Sequence, residues 1–362
     1  MIRSGLDAYF GESAHQREAA ELPVLGQLLD RFSRETPFAG QSIVVGHVLV
    51  RNSMVVVEGA ARGGGEVVLA AAHPSPAEAP VLADLERHGV PVLSVSEACQ
   101  RGDWYLDVGA VLGRARRPRG AAEVTRTGVL HYQSIDCPVF SADDCRAKRI
   151  EGFFGTGDGF LRAWRQFRAG ADPAGRHAVV FGYGKIGRGV AHQLRKTGVD
   201  VTVAEAGEAA LQRASAEGFV ALGADPNPAL EAALARADVV LAVTGQPGIL
   251  GRTVPADWLR RNRPDLVNLG AEDEFGPPFT DDEILGGRHI PLNFHLAQPT
   301  LNRYVDAPLA AHLLALEALL KDPDLPTGVR PLPEAMDDWV VRTWRSAWPN
   351  EDLTGIAAEL GL

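Results

Sequence analysis

Short apolar runs recur along the chain, and the segments between them carry apolar residues at helical spacing. Ser42-Ile-Val-Val reads as a strand and Asn52 to Arg62 as the helix after it. Glu66-Val-Val-Leu-Ala, the helix Ala79 to Arg87 and the strand Val90-Pro-Val-Leu-Ser repeat the pattern, and Trp104-Tyr-Leu-Asp-Val and Thr127-Gly-Val-Leu add further apolar runs. A second block opens with a helix from Gly159 to Ala169 and continues through strands at His177-Ala-Val-Val-Phe, Val199 to Ala204, Phe219-Val-Ala-Leu, Asp238-Val-Val-Leu-Ala-Val and Leu266-Val-Asn-Leu. Such alternation predicts an α/β fold of two doubly wound, Rossmann-like parallel-sheet domains, each sheet covered on both faces. The expected boundaries are 1–150 for the first domain, 151–295 for a second domain inserted into it, 296–330 for a long helix returning to the first, and 331–362 for a C-terminal tail. The helix, from Tyr304 to Leu320, is apolar all round, so it should be buried at a domain or subunit junction, which implies a homodimer or larger homo-oligomer. Trp339, Trp344 and Trp348 read as the packing face of a final helix.

With 362 residues, 46% hydrophobic and 23% charged, the chain is long enough for two ordinary cores. No apolar run reaches the roughly 20 residues of a bilayer span, and the start lacks the apolar core of a signal peptide, so a cytoplasmic protein with no membrane partner is expected. Cys99, Cys137 and Cys145 show no Cys-x-x-Cys spacing, which points to neither a disulfide framework nor a metal site. A net charge of −10 argues against a nucleic-acid partner, and the local basic run Arg114 to Arg119 reads as a solvated loop.

The most informative stretch is the strand His177 to Phe181 followed by Gly182-x-Gly184-x-x-Gly187 and an amphipathic helix. Gly182 permits a tight strand-to-helix turn, Gly184 lets backbone approach a pyrophosphate and Gly187 lets helix and strand pack closely, with Lys185 and Ile186 inside the turn. The next strand ends at Glu205, 18 residues after Gly187, where an acidic side chain suits the ribose hydroxyls of NAD and repels the extra phosphate of NADP. The expected cofactor is therefore NAD, and the expected partner a small-molecule substrate.

These residues belong to a wider pattern. Gly152-Phe-Phe-Gly-Thr-Gly-Asp-Gly, the turn Gly-Tyr-Gly-Lys-Ile-Gly-Arg-Gly, Glu205, Val243-Thr-Gly245, Val267-Asn-Leu-Gly270, Asn293 in Pro291-Leu-Asn-Phe, and Gly328-Val-Arg-Pro-Leu-Pro-Glu-Ala-Met-Asp together resemble the S-adenosylhomocysteine hydrolase family, over roughly Leu22 to Val340. The resemblance implies that Thr244, Gly245, Asn268, Leu269 and Gly270 flank a nicotinamide, that Asn293 holds its carboxamide, and that Thr125 and Thr127, in Glu123-Val-Thr-Arg-Thr-Gly-Val, lie on the cofactor side. It implies also that bound NAD transiently oxidises the 3′-hydroxyl of a nucleoside, and that elimination and water addition at the 5′ carbon follow.

The same resemblance places Lys148 on the family's catalytic lysine, Glu151 in place of its aspartate and Asp143 in place of its asparagine, with Glu58 and Asp107 toward substrate. Three residues apart, Lys148 and Glu151 share a helical face. Elsewhere the family's acid–base groups are missing: Ala271 and Gln298 stand where it has histidines, Val124 where it has a glutamate, and its aspartate pair is reduced to Asp107-Val108. The family's lysine- and tyrosine-bearing tail has no counterpart before Leu362. His295 and His47, the latter one place from the family's substrate histidine and at the carboxyl end of a strand, are candidate replacements because imidazole titrates near neutrality. His131, His192 and His312 read as structural. The expected function is an NAD-dependent enzyme oxidising, in full or transiently, an alcohol of a polar small molecule such as a modified nucleoside. The alternatives are a genuine S-adenosylhomocysteine hydrolase and a regulatory homologue that holds NAD without turnover.

Overall fold

The computed structural model describes residues 2–322 and 324–362. Its strands are β1 (Ser42–Gly46), β2 (Glu66–Ala70), β3 (Val92–Leu93), β4 (Trp104–Asp107), β5 (Gly120–Glu123) and β6 (Pro138–Ser141). Then follow β7 (His177–Phe181), β8 (Asp200–Glu205), β9 (Val220–Gly223), β10 (Val239–Ala242), β11 (Asp265–Asn268) and β12 (Gly328–Pro331). The chain divides into two compact units, Met1–Glu151 with Leu301–Leu362, and Gly152–Thr300.

In the first unit all seven strands run parallel, in the order β12-β6-β5-β4-β1-β2-β3. After β3 the chain crosses back to the other side of β1, so the strand order reverses between β1 and β4. The carboxyl ends of those two strands, Gly46 and Asp107, flank a switch point, where open sheets of this kind leave a ligand crevice. The run from Thr127 is not a strand, as its place among the apolar runs suggested, but part of the helix Arg126–Tyr132. Thr125 accounts for this, because its hydroxyl accepts the Gly128 N–H and caps that helix. Arg114 likewise sits in a short helix, Val111–Ala115, rather than a loop.

The long helix spans Asn302–Lys321 and is buried from Asn302 almost to its end. Its apolar faces are covered by the first unit itself, by β4, β5 and β6 and by the helices Pro23–Glu35, Ser53–Arg62 and Glu334–Ala347. All-round apolarity therefore follows from its position inside one unit, and the sequence argument from this helix to an oligomer falls away. Asp306 on the same helix accepts the Val24 and Leu25 N–H groups at 2.8 and 2.9 Å, capping Pro23–Glu35 from 281 residues away. The C-terminal segment is equally built in: β12 pairs with β6, and Trp344 is buried with its Nε1–H donated to the Arg303 carbonyl.

The second unit has the parallel order β11-β10-β7-β8-β9, with its own switch point between β7 and β10. Val179, Phe181, Val240 and Ala242 point to one face of this sheet and Ala178, Val180, Val239 and Leu241 to the other, each side with its own apolar core. Among the described residues no helix is long and apolar enough to cross a membrane.

Candidate functional site

In the second unit, β7 leads through Gly182 into the helix Lys185–Lys196. Gly182 has φ +99°, and a Cβ there would lie 2.7 Å from the Val243 carbonyl oxygen. A Cβ at Gly187 would overlap the Gly182 carbonyl. Both glycines are thus required by the protein's own packing. Gly184 is different: its φ is −76°, and a Cβ on it would meet nothing within 4 Å. The space over Gly184 is open cradle at a helix N-terminus, where a pyrophosphate belongs. Glu205, at the tip of β8, accepts the Tyr183 N–H of the turn at 2.6 Å, and its other oxygen takes the Ala206 and Gly207 N–H groups. The carboxylate is held against the glycine turn with lone pairs to spare.

Thr244 and Gly245 follow β10, Asn268 ends β11 and Gly270 follows it, and one residue missed by the sequence reading holds the first two. Glu274, wholly buried, accepts from the Thr244 N–H and hydroxyl at 2.7 and 2.8 Å and from the Gly245 N–H at 2.7 Å. Asn268 donates to the Glu272 and Arg288 carbonyls, and its own carbonyl takes the Gly270 N–H. Leu269 is buried in the core beneath. Burial pushes the Glu274 carboxyl up, and the Thr244 N–H and hydroxyl pull against it. Glu274→Ala should strand the donors of the loop after β10 and lower the unfolding free energy by about 1–3 kcal/mol per orphaned group; urea denaturation reads this, and an unchanged midpoint contradicts it.

Asn293 is buried, and its Oδ1 has no partner among the described residues, while its Nδ2 reaches the Pro299 carbonyl at 3.4 Å. An orphaned amide oxygen of this kind fits the carboxamide N–H₂ of a nicotinamide. His295, by contrast, has Nε2 engaged with the Gly286 carbonyl at 2.8 Å and its ring edge-on to Phe167. That arrangement gives it a structural task.

In the first unit the chemistry gathers at the carboxyl edge of the sheet. The helix Arg146–Ile150 is capped by Asp337, which accepts the Arg146 and Ala147 N–H groups at 2.8 and 3.0 Å. From this helix Lys148 Nζ reaches Glu151 Oε2 at 2.5 Å. Burial works against the ammonium, but Glu151 and Asp143 outweigh it and hold Lys148 above its ordinary value. The lysine is only 14% exposed, so it is a sheltered cation rather than a surface one. Cys145, the residue before this helix, donates its Sγ–H to the Ala142 carbonyl at 2.8 Å.

His47 follows β1 at the switch point. Its Nε2 lies 2.9 Å from His312 Nδ1, and His312 Nε2 lies 2.8 Å from the Ala122 carbonyl. Both imidazoles are pushed down by burial, His312 to about 4, and the Lys148 charge adds to the effect. His73, after β2, contacts the Val108 carbonyl at 2.9 Å. His312 and His73 were not read from the sequence as part of any site.

Other candidates have structural tasks. Asp107 fills four lone-pair positions with the Val108, Leu112 and Gly113 N–H groups and the Tyr132 hydroxyl, which leaves none for substrate. Glu123 takes the Gly109, Ala110, Val124 and Thr125 N–H groups and the Thr125 hydroxyl. Burial raises both carboxyls, and these rows of donors oppose it. Thr125 also accepts the Gly109 and Gly128 N–H groups, and Thr127 is half-buried in the following helix. Glu58 is buried between His15, at 2.7 Å, and Arg62, at 2.5 Å.

Fold and glycine turn together define an NAD-binding α/β protein, and residues 178–249 match the model of the TrkA-N domain. Over 92% of its length the chain is 26% identical to an adenosylhomocysteinase of Thermosynechococcus vestitus, covering 89% of that protein. It is 28% identical to the Gloeobacter violaceus adenosylhomocysteinase over 88% of the chain and 85% of the relative. An S-inosyl-L-homocysteine hydrolase of Methanopyrus kandleri is 27% identical over 63% of the chain, and that match spans only 59% of the relative. The chain is a divergent relative of the adenosylhomocysteinases. Among solved structures, a dipicolinate synthase of Bacillus halodurans aligns with a TM-score of 0.44 at 13% identity, over 80% of this chain and 99% of that one.

Proposed function

We propose that this chain is an NAD-dependent enzyme that oxidises, in full or transiently, a secondary alcohol of a polar small molecule, such as a ribose hydroxyl of a modified nucleoside. The observation that carries the reading is the sheltered Lys148–Glu151 pair at 2.5 Å, beside Asp143, in a chain that also carries an NAD turn. When bound, NAD supplies the hydride acceptor. Gly182, Gly184, Lys185, Ile186 and Gly187 would hold its pyrophosphate, Glu205 its adenosine ribose, and Asn293 with Thr244, Gly245, Asn268, Leu269 and Gly270 its nicotinamide end.

Lys148 would bind the alcohol oxygen. As the C–H electron pair leaves as hydride, the hydroxyl proton passes to the Glu151 carboxylate while the Lys148 ammonium holds the oxygen, and a ketone remains. Glu151, with Asp143 behind it, favours the charged lysine in the resting site against its burial. His47 stands by as a second proton carrier. The hydrolase reading draws support from the relatives' names, and the inosyl substrate in one of them shows that the base differs within the group. Against it, Ala271, Gln298 and Val124 bring no proton carriers to a 5′ elimination.

Two measurements bear on this reading. Denaturing the purified protein and running mass spectrometry on what it releases should yield NAD, together with or without a nucleoside; release of NADP alone would overturn the cofactor side. Glu205→Ala should weaken NAD binding by about tenfold, the worth of roughly 1.4 kcal/mol of ribose hydrogen bonding. Calorimetry giving the same affinity for variant and parent would refute the role of Glu205.

A further inference from the structure

The contacts of the two buried histidines fix where their protons lie. The Ala122 carbonyl can only accept, so the His312 nitrogen 2.8 Å away, Nε2, must carry the hydrogen. A neutral His312 then has a bare lone pair on Nδ1. His47 Nε2, at 2.9 Å from that lone pair, must therefore be the N–H donor. What remains on His47 is an unprotonated Nδ1, for which no partner occurs among the described residues. The reverse arrangement would set the lone pair of His312 Nε2 against the carbonyl oxygen, a repulsive contact between two acceptors.

A charged pair is no better. The groups that bear on His47 are His312, His73 and Lys148, which are neutral or cationic, and both rings of the pair are buried. Both imidazoles therefore stay neutral, and the tautomer is set by the chain of contacts alone. His47 is also the first residue after β1, at the strand-order reversal where a ligand crevice is expected.

We propose that His312 is a positioning residue that locks His47 as its Nε2–H tautomer, so that the bare Nδ1 of His47 is the proton acceptor of the first unit. This rests on the alcohol-oxidising reading given above and adds one proton acceptor; it does not restore the acid–base set missing at Ala271, Gln298 and Val124. In the step itself the C–H bond beside the newly formed ketone breaks, its proton moves to Nδ1 and its electron pair into the enolate; the ring becomes an imidazolium still donating through Nε2 to His312, and the proton returns to that carbon before the hydride does. His312 never touches substrate.

The test is nitrogen-15 NMR on the full chain, loaded with NAD and labelled at histidine, with His47→Gln used to assign the ring. The wild type should show His47 with an unprotonated Nδ1 and a protonated Nε2. His312→Leu removes the acceptor and should turn this into a mixture of both tautomers, with NAD affinity unchanged. His312→Gln should restore the wild-type pattern, because its amide oxygen can accept from His47 while its N–H₂ donates to Ala122. A proton on His47 Nδ1 in the wild type, or an unaltered pattern in a folded His312→Leu, overturns the proposal. If His312→Leu does not fold, the wild-type spectrum and His312→Gln still decide it. Failure of the oxidation reading would look different: no alcohol-dependent absorbance change, with the tautomer as stated.

Discussion

Gly184→Ala should fold as the parent does, with the same melting temperature, and bind NAD at least about tenfold more weakly, a loss of roughly 1.4 kcal/mol or more. Nothing in the protein meets a Cβ at this position, and its φ of −76° suits any residue, so the only cost falls on a ligand that needs the space. Gly187→Ala is the contrasting case. There the added methyl overlaps the Gly182 carbonyl, and overpacking of that kind costs about 1–3 kcal/mol of stability before any ligand is considered. Thermal melts with and without NAD separate the two variants. Equal loss of stability in both, or full NAD affinity in Gly184→Ala, would contradict the assignment of Gly184 to the pyrophosphate.

Lys148→Ala should lower alcohol-dependent NAD reduction by about 10²- to 10⁴-fold, the range of a positioned proton carrier, and leave NAD affinity within error. The two effects separate because Lys148 belongs to the first unit and the glycine turn to the second. Removing the ammonium also leaves Glu151, 22% exposed, without its ion-pair partner, so a modest change in melting temperature is expected as well. Stopped-flow absorbance of the reduced nicotinamide reads the rate. An unchanged rate would move the chemistry away from this pair.

Periodicity and local motifs carried much of the fold. Strands β1 to β4 and β7 to β11 follow from apolar runs bounded by turns, and the glycine turn needs only neighbours in sequence, so these were legible; β5 and β6 were not read, each being four residues long and β5, Gly120-Ala-Ala-Glu123, carrying no β-branched residue. Residues whose meaning comes from distant partners were not. Glu274 looked like one of several acids after β11, and its task appears only when Thr244, 30 residues earlier, is folded beside it. His312 read as a residue of a buried helix, which it is, yet its partners are His47 and Ala122, 265 and 190 residues away. Asp107 occupies a position that suggested a substrate contact, and the loops and helix ends wrapped around it, as around Glu123, consume its acceptor capacity instead. Apolarity around Tyr304–Leu320 said that the helix is buried but not by what, and the first unit itself supplies the cover.

The central claim is that this scaffold keeps NAD-dependent oxidation and lacks the proton carriers for elimination at the 5′ carbon. The most direct measurement is to add S-adenosylhomocysteine to the NAD-loaded protein and follow free thiol and reduced nicotinamide together. The account predicts no homocysteine release at a useful rate, whether or not the nicotinamide absorbance rises. Rapid release of homocysteine would contradict it and make the chain a hydrolase with proton carriers other than those of its relatives.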